Sequence, residues 1–320
     1  MTRPLSFYLR LALLPALVII FSVMTSGFLS IGNIYAIGQT FAVVAPVALA
    51  IGLTMIAGEL DLSVGAMVAL AGLIMVKFGA DYAVLGILAA VLFGALVGVL
   101  NAWLTLRLKV SSLVTTLGIM IVLQGASVWL EGGKTAIFDH LEMTDFVGLT
   151  VLGIFSPWSI SALVLGAVLF VVLSFTRLGR DIYAAGSDRK AALMSGTRIR
   201  PALITVFVCA GVFAAIDGVL MAISLGRASS QFGGSLLIQS VTAAILGGVA
   251  LSGGVGKVSG ILLGALILSV LSNGLSYIGA DSSTILLANG GILLIVVLFE
   301  SALTERFLRS FGQSIQTIKH

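Results

Sequence analysis

The sequence predicts an all-α membrane protein: a polytopic bundle of about ten transmembrane helices with both termini cytoplasmic. Three observations carry that reading. Apolar residues make up 59% of the 320-residue chain and charged residues only 9%, about a third of the charge of an ordinary soluble domain. Apolar windows of about 20 residues, enough to cross the hydrocarbon layer, recur along the chain. Lysine and arginine gather in alternate connections between these windows, the bias that orients membrane proteins.

In chain order the windows cover residues 9–27, 34–57, 62–80, 83–106, 111–130, 157–176, 201–225, 236–251, 258–277 and 284–303. The first contains the apolar run Leu11 to Met24 and lacks a small-residue cleavage site, so it is a span and not a cleaved leader. The eighth is short, which leaves it tilted, broken or re-entrant. With the N-terminus inside, alternation puts 14 of the 17 basic residues on the inner face and leaves Lys77, Lys134 and Arg227 outside. The acids Asp81, Glu131, Asp139, Glu142, Asp145 and Asp281 accompany those three. Ten spans return the C-terminus to the inside.

Two connections are hydrophilic. The outer one, 131–156, carries four acids and one lysine; the inner one, 177–200, carries six basic residues against Asp181 and Asp188. Neither is long enough to form a separate unit, so residues 1–320 constitute one membrane domain. The 38 glycines suit close helix packing in lipid. The single cysteine, Cys209, cannot form an intrachain disulfide and fits a buried packing role.

Several polar features interrupt the apolar text. Gly58-Glu59-Leu60-Asp61-Leu62-Ser63-Val64-Gly65 joins the second and third windows on the inner side. Its two carboxylates must reach water or hydrogen-bond donors, because a charge at mid-membrane costs at least ~2.5–3.5 kcal/mol. Asp61 or Ser63 can cap the next helix, and Gly58 lets the chain reverse. A capped turn accounts for the motif, and a part in gating or partner contact is the rival explanation. In the inner connection, Ser187 or Asp188 is a good N-cap for a short helix through Arg189, Lys190, Ala191, Ala192, Leu193, Met194 and Ser195, with Gly196 as terminator. So short a helix is not stable alone in water and needs a surface to lie on, either the membrane interface or a cytoplasmic partner. A merely solvated basic loop explains the charge but not cap, Ala-Ala pair and glycine together.

Ser252-Gly253-Gly254-Val255-Gly256-Lys257-Val258 superficially matches a phosphate-binding loop. Leu251 stands where the first glycine belongs, and Val258 replaces the magnesium-holding hydroxyl, so it is a flexible inner turn. Asp217 is the lone acid at mid-membrane depth and should face the bundle interior. Gln39, Gln124, Asn101, Gln239, Asn273 and Asn289 are further polar groups in or near spans. Interhelical hydrogen bonding explains any one of them; together they suit a route for an uncharged, hydroxyl-rich solute. With only His140 and His320 and no cysteine pair, no zinc site is expected, and the basic residues follow membrane sidedness and give no support to nucleic-acid binding.

These motifs resemble those of the ribose-type permease subunits of binding-protein-dependent ABC importers. Residues 190–196 look like the Glu-Ala-Ala-three-any-Gly loop, with Lys190 in place of the usual Glu. Gly58 to Gly65 is similar to the family's Gly-Gly-Ile-Asp-Leu-Ser-Val-Gly segment, with Glu59 where Gly is usual. The likeness runs from about residue 30 to 300 and includes Asn101 and Thr115-Thr116-Leu117-Gly118.

The resemblance implies a passive, non-enzymatic pathway in a bacterial inner membrane for a monosaccharide or related polyol. It implies a second permease subunit, two cytoplasmic ATPase subunits and a periplasmic solute-binding protein. ATP and magnesium would be bound by the ATPases, with no cofactor on this chain. The coupling helix of 188–196 would dock in an ATPase groove. The rival reading is an ion-coupled secondary transporter or channel without an ATPase, for which Asp217 is the candidate coupling site. An intramembrane enzyme has no catalytic constellation to stand on.

Overall fold

The computed structural model describes residues 5–296 and 298. Along the chain run α1 (Leu5–Met24), α2 (Ile31–Ile56), α3 (Ser63–Phe78), α4 (Ala83–Leu108), α5 (Ser112–Glu131), β1 (Ala136–Ile137), α6 (Leu141–Gly148) and α7 (Pro157–Phe175). They are followed by α8 (Arg177–Ser187), α9 (Arg189–Met194), α10 (Ile199–Leu225), β2 (Arg227–Ala228), α11 (Gly234–Leu246) and α12 (Val258–Tyr277). A further apolar helix, α13, covers Ser282–Val296. Each of the ten apolar windows therefore coincides with a helix. The end of the tenth window, and Arg3, Arg306, Arg309 and Lys319, lie outside the described residues.

Six of these helices, α2, α4, α5, α7, α10 and α12, are long and apolar enough to cross a membrane. Among the shorter ones, α11 has 13 residues, only about 20 Å at helical rise. The third window also shrinks to 16 residues. It loses Leu62 at its start and Gly79 and Ala80 at its end, since α3 runs only from Ser63 to Phe78, after an irregular stretch from Glu59 to Asp61. The minimal sheet, with Ala136 opposite Ala228 and Ile137 opposite Arg227, is an addition to the all-α expectation.

Sequence sets most helix limits. Ser30 caps α2 by accepting the Asn33 N–H. At α7, Ser156 and Ser159 form a capping box ahead of Pro157 at the first helical position, where its missing N–H costs nothing. Gly132 and Gly226 end α5 and α10 in the left-handed conformation.

Helix α10 is the hub, packed against α2, α3 and α4. Glycine makes these contacts close: Gly94 faces Gly211, Gly98 faces the Phe207 carbonyl, and Gly218 lies on the Val68 backbone. The same device joins α11 to α12, where Gly247 meets Gly260 and Gly264 meets Ala243. In lipid no hydrophobic force drives helices together, so backbone approach and dispersion must do so. Accordingly α2 and α10 bury most of their surface, whereas α4, α5 and α7 leave broad apolar faces exposed.

The connections segregate into two ends. At one, the Tyr35 hydroxyl donates to Gly148 O (2.6 Å), His140 Nε2 meets Ala80 O (2.7 Å), and Glu131 accepts the Ser230 N–H (3.1 Å). At the other lie the turns around Gly58, Ser112, Gly186 and Gly254. That grouping is the one that alternate spans require.

Gly211→Val should destabilise the purified chain by about 3 kcal/mol, the upper range for overpacking against backbone that cannot yield. Gly125→Ala, whose new methyl meets nothing within 4 Å, should be neutral or stabilising by up to about 1 kcal/mol. Unfolding titrations in mixed micelles read both.

Candidate functional site

The inner-turn motif and the short capped helix, 130 residues apart at their closest pairing, meet at one end of the bundle. Asp188 Oδ1 accepts the N–H groups of Lys190 (2.9 Å) and Ala191 (3.0 Å), which starts α9. Gly196, at φ +77°, ends it. The Gly196 N–H reaches Leu193 O (3.1 Å) and the Thr197 N–H reaches Ala192 O (3.0 Å), a Schellman motif that satisfies the last carbonyls. Both ends of the predicted helix are thus as expected.

Of its side chains only Ala192 is buried, at 6% exposure, while Leu193 (60%) and Met194 (92%) project outward. These are two adjacent exposed apolar side chains in a connection whose charges are mostly basic. Preceding α9, α8 is capped by Thr176, which accepts the Gly179 N–H. Tyr183 of α8 donates to Gly256 O at 2.8 Å, and burial pushes its phenol pKa up.

The link to the inner turn is ionic. Arg189 Nη2 lies 2.6 Å from Glu59 Oε1, and the carboxylate is only 7% exposed. This is the only ion pair among the described residues. Removing Arg189 would strand the Glu59 charge at a nearly buried site, the costly way to break such a pair, whereas Arg189 itself is 43% exposed. Around it the backbones touch: Gly58, at φ +75°, packs on Gly186 and Gly253, and the Gly254 N–H donates to Ile56 O (2.9 Å). Residues 252–258, expected as a flexible turn, are a fitted part of this junction. Any side chain at Gly253 or Gly254 would collide with α8 or with Gly58.

Beyond Glu59 the motif turns into the bundle. Asp61, 1% exposed, accepts the Ser63 N–H (3.0 Å) and hydroxyl (2.5 Å) through Oδ1, and Asn101 Nδ2 reaches its Oδ2 at 3.2 Å. Asn101 also donates to Ser63 Oγ at 2.9 Å. Leu62 holds the N-cap position of α3 and makes no side-chain cap; of the two expected residues, Asp61 accepts the first helical N–H, that of Ser63, from one residue further back, and Ser63 is already helical. The irregular backbone is satisfied by α5: Ser112 Oγ accepts the Leu60 N–H (3.2 Å) and Thr116 Oγ1 the Leu62 N–H (3.1 Å). A methyl on Gly65 would sit 3.0 Å from Gly233 O and 2.9 Å from Leu237 Cβ, so α3 starts against the head of α11.

The five polar groups expected along a pathway are not joined by any hydrogen bond among the described residues. Asp217 is fully buried, and its Oδ1 accepts from Trp158 Nε1 at 3.3 Å while Oδ2 has no protein partner. Gln39 is half-buried with both amide atoms unpartnered, and Asn273 has an unpartnered Oδ1. Gln239 is half-buried, and Gln124 stands exposed on α5. Sequence reading missed Trp158, Tyr183, Ser112 and the role of Gly253 and Gly254. For the last pair the density of glycine was the available signal.

This architecture, apolar helices carrying a small capped helix at one end, is that of a multi-pass membrane protein. Residues 16–299 match the family model described as branched-chain amino acid transport system / permease component, and the chain belongs to that family. The L-arabinose ABC transporter permease protein AraH of Azospirillum brasilense is 33% identical, covering 87% of this chain and 83% of the relative. The ribose import permease protein RbsC of Escherichia coli (strain K12) is 30% identical, with coverages of 89% and 90%. RbsC of Bacillus subtilis (strain 168) is 33% identical over 89% of each chain. No solved structure matches significantly.

Replacing Asn101 by Leu should lower stability by about 1.5–3 kcal/mol, the value of a hydrogen bond to a charged group. Asn101→Gln, which keeps a donor, should recover part of the loss in the same micelle titration.

Proposed function

We propose that this chain is the translocation subunit of an ATP-driven importer for a monosaccharide or related polyol. The named relatives support the solute class: they are permeases for L-arabinose, ribose and, in Rhizobium meliloti, fructose. The family description speaks of branched-chain amino acids, but whole-length relatives named for sugars favour a hydroxyl-rich cargo. In this reading residues 1–320 are one membrane domain with ten spans, both termini in the cytoplasm, in a bacterial inner membrane. Two permease subunits, identical or paralogous, enclose the pathway. Two ATPases bind ATP and magnesium below, and a periplasmic solute-binding protein delivers from above.

The observation that carries the mechanism is the Arg189–Glu59 pair. In our reading Leu193 and Met194 seat α9 in a groove of the ATPase, and closure of the ATPase dimer moves α9. Arg189 draws Glu59 with it. Glu59 leads directly to Asp61, which is tied to α4 through Asn101, and the Leu60 and Leu62 amides are tied to α5. A displacement of the foot is thereby delivered to three helices at once. ATP shifts the equilibrium only because α9 makes different contacts in the two states. The chain itself makes and breaks no covalent bonds.

Ala192→Glu, which forces a charge into a buried seat, and Gly196→Pro, which denies the left-handed terminator, should each abolish uptake. ATPase co-purification should fall with it, while membrane insertion persists; uptake at the normal rate would rule out the docking role. Asp217→Asn separates the ion-coupled rival: uptake within about twofold of normal and strictly dependent on ATP hydrolysis is expected.

A further inference from the structure

Near one end of the bundle α4 and α10 part company. Outward from there, Gly94 on Gly211 and Gly98 on the Phe207 carbonyl hold the two backbones together. Past that crossing a cleft of about 440 Å³ opens between them. Its walls are apolar, with Val99 and Trp103 from α4 and Ile204 from α10, and its mouth is ringed by Arg107, Lys109 and Arg200. All three cations are exposed, and among the described residues none makes an ion pair. They come from two helices that the sequence separates by more than 90 positions, so this concentration of charge is a product of the fold.

We infer that this cleft binds one anionic phospholipid, its phosphodiester held by Arg107, Lys109 and Arg200 and an acyl chain lying along Val99, Trp103 and Ile204. The charge pattern selects the ligand: three unneutralised cations call for an anion, and the apolar floor rejects a freely soluble one. Trp103 lies five residues before the end of α4, about 7 Å of helix. That is the depth at which tryptophan anchors to the headgroup boundary. Arg107 and Lys109 lie beyond it, where basic residues gather around lipid phosphates. Simple snorkelling of cations to water explains their exposure. It does not explain an apolar cleft opening between them. The inference requires only that this end of α4 meets a membrane surface, and holds whichever solute crosses.

The test uses the purified full-length chain with Trp129→Phe, which removes the exposed tryptophan at the opposite end and leaves Trp103 and the buried Trp158. It is placed in phosphatidylcholine vesicles containing brominated phosphatidylglycerol or brominated phosphatidylcholine. Brominated phosphatidylglycerol should quench Trp103 with about five- to tenfold greater relative affinity, each cation adding to the attraction. Arg107→Gln, Lys109→Gln and Arg200→Gln combined should bring the ratio to about one, whereas Lys134→Gln should leave it unchanged. Val99→Phe, which fills the cleft without touching charge, should weaken quenching by both lipids. Equal quenching in the parent chain, or a preference that survives the triple variant, overturns the proposal. Loss of the preference in excess inorganic phosphate at constant ionic strength also overturns it, since the cleft would then be a site for free phosphate. Sugar uptake is not measured, so failure here leaves the transport reading intact.

Discussion

A backbone that leaves the helical path in a buried part of the protein must find partners for its amides and carbonyls without help from water. That constraint organises this protein around residues 57–62. Between α2 and α3 the chain runs irregularly through a buried region, and hydroxyls take the place of the missing helical bonds. Ser112 and Thr116 bind the Leu60 and Leu62 amides, and Asp61 binds the Ser63 amide. Asn101 then satisfies Asp61. Each of these groups would be an unpaired buried polar atom on its own. Their mutual dependence fixes α3, α4 and α5 relative to one another.

The same segment is joined to the projecting α9 by an ion pair. Glu59 is held by Arg189 from outside and is continuous with Asp61 inside, so the ion pair with α9 and the bundle interior are separated by a single residue, Leu60. Glycine supplies the fit: Gly58, Gly186 and Gly253 let three segments meet backbone to backbone. A junction of this kind is stiff, because little in it is compressible. The apolar knob of Leu193 and Met194 is left free on the outer side of α9.

Much of this was legible from residues alone. For the six helices long enough to cross a membrane, the limits came within about three residues of the apolar windows, because lipid imposes a length on such spans. The α9 helix was readable from Asp188 and Gly196, since a cap and a terminator act through their own neighbours. Less legible were the partners of polar groups. Asp61 was expected to cap, and it accepts the first N–H of α3, but nothing in its surroundings in sequence pointed to Asn101, 40 positions away. Residues 252–258 read as a loose turn because glycine signals freedom locally and signals close contact only when a second backbone is present. The third window was read as continuous helix although Leu62 remains outside it; hydropathy is blind to where helix begins inside an apolar run.

The sequence by itself determined the solvent, the number and approximate limits of the apolar helices, the grouping of connections into two ends and the existence of the capped foot. All of these follow from composition, periodicity and short-range hydrogen bonding. Tertiary structure alone decided that Arg189 meets Glu59, that Asn101 meets Asp61, that Trp158 meets Asp217 and that α4 and α10 enclose a cationic cleft. Such pairings depend on how helices cross. Crossing is set by which small residues face each other across a contact, a property of two distant stretches jointly and of neither alone.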